Sequence, residues 1–290
     1  MKKPLHVVPN LDIGGVSWAR GFCDSVSRAG AIITTPDATK VGQPTLYIGD
    51  RIDWTTVADH LSTGYFLAAV DGTAQERDNS ALAAVTTTPS LADQARARQL
   101  LGATHVYADG FPLHFGELDE VRADAGSYRG RSVGFVGRTD KDKGPAAELA
   151  LAARLIKCGI HVVHLSGTKN TIARELSELG VEVRERIPRE EYLGRLARLG
   201  CVANTSPRES LFVSGIEASY LGVPVVAPAV FGTGIADWNL ADRLYKPNDA
   251  DDAVEIIERA LSSSTVPDVS WYDAAAYVRR VRDHICEGNN

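Results

Sequence analysis

Short apolar runs rich in strand-forming residues alternate with longer stretches of helical periodicity along the chain. In the first half the pattern predicts strands near residues 5–9, 31–35, 45–48, 65–70, 83–87 and 105–107, and helices near 16–28, 54–61 and 91–101. In the second half a short apolar strand follows Arg131 and ends at Gly137, and an Ala/Leu-rich helix opens after Gly144. A further strand precedes a loop holding Glu209, a helix holding Glu217 follows, and a Gly222-to-Pro224 turn leads into another buried strand. Residues 271–285 read as a closing helix. Strands separated by helices argue for parallel sheets joined by right-handed crossovers. The polar, glycine-containing stretch 116–130 is the expected hinge, with the second sheet starting at Arg131. No repeats or low-complexity tracts interrupt the pattern.

Composition narrows the class. With 290 residues, 44% hydrophobic and 23% charged, the chain has the make-up of a soluble globular protein and room for two domains. No run approaches a membrane span, and Met1-Lys2-Lys3-Pro4 leads into a strand instead of a signal-peptide core, so a cytoplasmic location is expected. Cys23, Cys158, Cys201 and Cys286 are scattered without metal-like spacing, as free thiols of a reduced compartment would be. Charge is uneven: the first 128 residues carry ten Lys/Arg against fifteen Asp/Glu, a net of −5 out of −6 for the whole chain. An acidic first half lacking a basic amphipathic helix argues against a membrane surface and against nucleic acid as partner, since phosphate contacts dominate nucleic-acid affinity.

Two constellations carry the chemistry. Glu209 and Glu217 have seven residues between them, one in the loop beyond a strand and the other in the next helix. That places both at the carboxyl edge of an α/β sheet, where ligands bind. Upstream, Gly137-Arg138 is followed by Lys143-Gly144 at a helix start. A cation at the positive end of a helix dipole is unfavourable unless an anion compensates it. A nucleotide diphosphate is such an anion, met by a bidentate Arg and a point-charge Lys.

Glu-x7-Glu with a following Gly-x-Pro-Val-Val, together with the Gly-Arg and Lys-Gly pairs upstream, resembles the donor site of retaining glycosyltransferases of the two-domain GT-B fold, family four. The resemblance is strongest over residues 131–230 and looser before them. It implies an α/β fold of two Rossmann-like domains whose parallel sheets face across a cleft: an acceptor-side domain at 1–125, a donor domain at 126–270, and a C-terminal helix, 271–290, returning to the first. It also implies metal-independent transfer of a sugar, with retained anomeric configuration, from a nucleotide-diphosphate sugar (UDP- or GDP-linked) to an acceptor hydroxyl, with no other cofactor. Arg138 and Lys143 would hold the diphosphate, Glu209 the sugar hydroxyls and Glu217 the ribose. The amides of Phe212, Val213 and Ser214 would receive a phosphate, and Ile187 would wall the base. Gly14, Gly15, Gly137 and Gly167 would line the donor. The acceptor is a small molecule, glycan or protein. Alternatives are a hydroxymethylated DNA base as acceptor, a nucleotide-sugar epimerase, and a sugar-nucleotide binding module without catalysis.

Each residue also has a plainer reading. Ser214 with Glu217 spells a helix capping box. Glu209 by itself also reads as a solvated loop acid, against its place just beyond a strand's carboxyl end, and Arg138 as a partner for Asp140 or Asp142. Asp140-Lys141-Asp142 spells the metal-binding triplet of another glycosyltransferase fold, but beside two cations it reads as a polar turn. Gly14-Gly15 fits an ordinary tight turn. Many relatives carry a His after the strand matching 65–70; here Asp71 stands before Gly72, as a base, an acceptor ligand, a stabiliser of positive charge on the sugar, or a turn cap.

Overall fold

The computed structural model describes the chain except for residues 1–2, 10–16, 36–37, 49–54, 56, 58–62, 67–72, 104, 125–129, 141–142, 208, 210, 231–233 and 288–290. The expected helix at 54–61 apart from Thr55 and Val57, the end of the strand expected at 65–70, and the candidates Gly14, Gly15 and Asp71 lie outside the described residues. The chain forms two compact units, Met1–Phe115 with Ser270–Asn290 and Gly116–Val269.

In the first unit the elements are β1 (His6–Pro9), α1 (Ser17–Arg28), β2 (Ile32–Ile33), β3 (Thr45–Ile48), β4 (Thr63–Phe66), α2 (Ala74–Leu82), β5 (Val85–Thr88), α3 (Leu91–Leu101) and β6 (Val106–Ala108). Its six strands pair in parallel in the order β2-β1-β3-β4-β5-β6, with Val7 opposite Leu46 and Tyr47 opposite Tyr65. The helix α2 is an addition to the sequence reading. Its composition is polar, but Thr73 accepts from the Glu76 amide while Glu76 accepts from the Thr73 amide, a complete capping box.

The second unit runs α4 (Phe115–Asp124), β7 (Ser132–Val136), α5 (Pro145–Lys157), β8 (His161–Ser166), α6 (Ala173–Glu178), β9 (Glu182–Glu185), α7 (Arg189–Leu196), β10 (Cys201–Ala203), α8 (Val213–Tyr220), β11 (Val225–Pro228), β12 (Leu244–Tyr245) and α9 (Ala250–Leu261). The stretch expected to be a hinge therefore begins as a helix. Gly116 suggested a loop, but Phe115 and Leu118 are both buried, at the i, i+3 spacing of a helix face.

The second sheet is also all parallel, ordered β12-β11-β10-β7-β8-β9. Its core joins Val133 and Phe135 of β7, Val162 of β8 and Cys201 of β10 to Leu151, Ala152 and Leu155 of α5 and Ile256 and Ile257 of α9. Those helix positions follow the i, i+3, i+4 spacing of an amphipathic face. Asp249 caps α9 by accepting from the Asp252 amide.

A last helix, α10 (Ala274–Glu287), packs within the first unit. Tyr277 meets Phe22 edge-on at 5.6 Å between centroids, and Phe22 also touches Phe66 at 4.7 Å and Phe111 at 5.5 Å. Polar contacts tie the same helix down. Asp109 is 1% exposed and faces both Arg280 and His284, while Arg280 lies 3.7 Å above the Trp271 ring and donates to the carbonyls of Asp109 and Trp271. The two six-stranded parallel sheets with their helices make the α/β fold expected from the sequence.

Candidate functional site

From β7 the second sheet grows in both directions, through β8 on one side and β10 on the other. The loops after β7 and β10 therefore flank the point at the carboxyl edge where a crevice is expected, the usual ligand position in such sheets. Gly137 follows β7 directly, Gly167 follows β8, Ile187 lies just past β9, and Glu209 lies in the loop after β10. These predicted donor-side residues of the second unit thus lie at one edge of one sheet.

The crevice is bridged at its centre. Lys143, in the loop after β7, places Nζ 2.7 Å from Oε1 of Glu209, in the loop after β10, and both side chains are largely buried. The two loops also meet through backbone. Gly144, at φ 71° and ψ 47°, begins α5 so close to Thr205 that a Cβ there would sit 2.5 Å from the Thr205 carbonyl oxygen. Arg138 stays on the surface, its guanidinium 2.6 Å from Asp140. The plainer reading of Arg138 thus describes its contact, while Lys143 bonds to a residue of the other constellation.

The loop after β7 is held from below. Thr139, 1% exposed, donates from its hydroxyl to Asn170 Oδ1 at 2.9 Å and accepts from the Thr171 amide at 2.8 Å. Asn170 in turn receives the Ile172 amide on Oδ1 and donates its own amide to Glu185, so the loops after β7 and β8 and the end of β9 form one polar network.

The loop after β10 ends at Phe212, whose φ of 58° and ψ of 64° put a bulky residue in the left-handed region. Such strain persists only where packing enforces it. Here the ring fills the space over Gly215, where a Cβ would come within 2.3 Å of it, and the neighbouring Leu211 carbonyl accepts from the Trp238 indole at 2.9 Å. The consequence is a helix, α8, that starts abruptly: the amides of Phe212, Val213 and Ser214 have no backbone partner among the described residues. Unpaired amides at a helix start form an anion-binding position.

Glu217 is not part of a capping box. Ser214 lies inside α8 and Phe212 is the N-cap without a side-chain bond, so the capping arrangement suggested by the spacing is absent. The Glu217 carboxylate, 5% exposed, instead accepts from Arg189 at 2.6 Å, and Arg189 reaches Glu117 at 3.4 Å. Burial works against the charge on Arg189, but the two carboxylates outweigh it and hold the guanidinium firmly protonated. The neighbouring Tyr192 phenol is pushed well above its ordinary range by burial and by Glu217. Arg189 escaped the sequence reading. Its signal was akin to that of Lys143: a cation at a helix start, where the dipole disfavours it, Arg189 as the first residue of α7 and Lys143 just before the N-cap of α5.

No protein-family model matches the chain, and no curated protein matches it in sequence. Solved structures do match in fold. AviGT4, a glycosyltransferase involved in avilamycin A biosynthesis, superposes with a TM-score of 0.62 at 16% identity, covering 98% of this chain and 97% of its own. Anabaena HepE in complex with UDP and glucose superposes at 0.59 with 14% identity, covering 99% of each chain. S. aureus TarM, in complex with fondaparinux, α-GlcNAc-glycerol and UDP, superposes at 0.59 with 14% identity over 84% of this chain, which spans 52% of TarM. Among the described residues no helix is long and apolar enough to cross a membrane. The double-sheet architecture of this chain is that of its glycosyltransferase neighbours, the GT-B fold.

Proposed function

We propose that the chain is a cytoplasmic retaining glycosyltransferase that moves a sugar from a nucleotide-diphosphate sugar to an acceptor hydroxyl without a metal ion. The observation that carries this reading is the Lys143–Glu209 pair across the crevice. Each member holds the other until a ligand brings both an anion and hydroxyl groups. On binding, Lys143 and Arg138 meet the diphosphate, and the amides of Phe212, Val213 and Ser214 receive a phosphate oxygen. Glu209 is released to accept from the sugar hydroxyls, Glu217 accepts from the ribose, and Ile187 lies against the base. Gly137 and Gly167 let the donor approach the backbone.

In the transfer step the bond from the anomeric carbon to the phosphate oxygen breaks, and the acceptor oxygen bonds to the same face. The departing phosphate takes the acceptor's proton, so no protein nucleophile is needed, and the cations stabilise the charge left on the nucleotide. Asp71 and the Gly14-Gly15 loop come from the amino-terminal half in this reading, the glycines lining the donor and Asp71 facing the sugar or the acceptor. A small molecule, a glycan or a protein supplies the hydroxyl. UDP in the TarM and HepE complexes makes UDP-sugars the first donors to test, with GDP-sugars next.

The test is a panel of UDP-, GDP- and ADP-sugars, followed by thermal shift and by slow nucleoside-diphosphate release, with Glu209→Ala and Arg138→Ala as controls. A donor at a hundred times its Kd should stabilise the protein by about 2.7 kcal/mol. One donor that stabilises and is slowly hydrolysed by wild type alone supports the reading. Epimerised donor without acceptor would make the chain an epimerase, and binding without turnover under any acceptor would make it a binding module.

A further inference from the structure

Beneath the loop after β7 lies a buried ionisable pair that the proposed reaction leaves unused. Glu148 sits on the apolar stripe of α5 with Leu151, Ala152 and Leu155, and His164 sits in β8 opposite Phe135 of β7. Their side chains are 7% and 1% exposed. The imidazole Nδ1 is 2.7 Å from Glu148 Oε1, and Nε2 is 3.3 Å from the Gly137 carbonyl oxygen.

A carbonyl oxygen only accepts, so Nε2 must carry a hydrogen. Nδ1 then either donates to an ionised Glu148 or accepts from a protonated one. The pair is neutral overall in both cases, and the Nε2 donor faces Gly137 in both. The consequence lies one atom further along the chain. In a trans peptide the carbonyl and the following N–H point in opposite directions, so drawing the Gly137 carbonyl toward His164 turns the Arg138 amide away from it. Gly137 permits this with a φ of 108°, its own amide donating to the Leu165 carbonyl at 3.0 Å. The Arg138 amide has no backbone partner among the described residues.

We propose that His164, oriented by Glu148, is a positioning residue that fixes the Gly137–Arg138 peptide so that the Arg138 amide is presented to a diphosphate oxygen. The inference rests on the donor-site reading and adds to it a backbone donor with a buried support. The pair is removable. Replacing both members of a buried ion pair by apolar residues of similar volume is often neutral, whereas removing one strands the other.

The experiment therefore uses Glu148→Leu/His164→Phe and, as a second packing solution, Glu148→Met/His164→Leu. Glu148→Gln is the conservative variant, because its amide donates to Nδ1 and keeps the hydrogen on Nε2. Titrations of UDP and GDP by calorimetry, and of uridine and guanosine by ligand-detected NMR, give the readout. Both double variants should bind the preferred diphosphate on the order of tenfold more weakly, the loss of one hydrogen bond to a charged group. The matching nucleoside should bind unchanged, and Glu148→Gln should stay within about twofold of wild type. Unchanged diphosphate affinity in the double variants overturns this inference alone, as does equal loss of the nucleoside or an equal defect in Glu148→Gln. If wild type binds neither diphosphate, the donor-site reading fails and the inference falls with it.

Discussion

Three glycines at the candidate site make a graded test of the geometry. Gly144→Ala puts a side chain at φ 71° and drives its Cβ to 2.5 Å from the Thr205 carbonyl oxygen, which belongs to the backbone and cannot swing aside. The left-handed conformation costs about 1–2 kcal/mol for an L-residue. Forcing atoms into a packed contact adds about 1–3 kcal/mol. Together these lower stability by about 2–5 kcal/mol, or roughly 5–20 °C in the melting of a unit of this size. Gly137→Ala meets no atom within 4 Å but keeps the strain of φ 108°, so it should cost only about 1–3 kcal/mol. Gly167→Ala meets neither obstacle and should stay within about 0.5 kcal/mol of wild type. Thermal melts and urea titrations with unchanged slope measure all three. If Gly144→Ala melts together with Gly167→Ala, the two loops do not meet as described, and the crevice built on their contact is wrong.

Lys143→Met should weaken UDP or GDP binding while sparing the nucleoside, and Glu217→Gln should weaken the nucleoside as well; calorimetry that finds the reverse partition would exchange their assigned roles. A double-mutant cycle of Lys143→Met with Glu209→Gln should give a coupling energy of about 1 kcal/mol in the ligand-free protein, read by urea unfolding. Arg280→Met, which leaves the buried Asp109 with His284 alone, should destabilise the first unit by about 2–4 kcal/mol, detectable as faster proteolysis there. Of the four thiols, the exposed Cys158 and Cys286 should react first with a disulfide reagent. Burial pushes the Cys23 thiol up to about 11 and the Cys201 thiol up to about 12, so both should lag at neutral pH, Cys201 until unfolding.

Local signals carried much of the fold. The β7 strand, the Gly137 turn and the α5 start were legible because an apolar run, a glycine and an alanine-rich helix follow one another without ambiguity. The polar helix α2 announces itself only by its capping box, and α4 was hidden behind Gly116. For the candidate site, spacing supplied which residues sit at the sheet edge but not which of them touch. Lys143 and Glu209 are 66 positions apart, and Arg189 and Glu217 are 28 apart, so their pairing depends on strand order and not on local pattern. The Glu148–His164 pair was equally illegible: a charged residue on the core-facing stripe of a helix is a warning, but its partner lies on another element.

The return of α10 to the first unit has a consequence for how the chain is made. The second unit, residues 116–269, is continuous in sequence and can complete its sheet as soon as it leaves the ribosome. The first unit is begun earlier yet must wait, because the aromatic surface around Phe22 and Phe66 is closed by Tyr277, synthesised after all of the second unit. During that interval an apolar face is open to solvent, a window for chaperone binding or aggregation. A C-terminal truncation would therefore show its defect at the opposite end of the sequence, as a misfolded amino-terminal unit beside a sound second one.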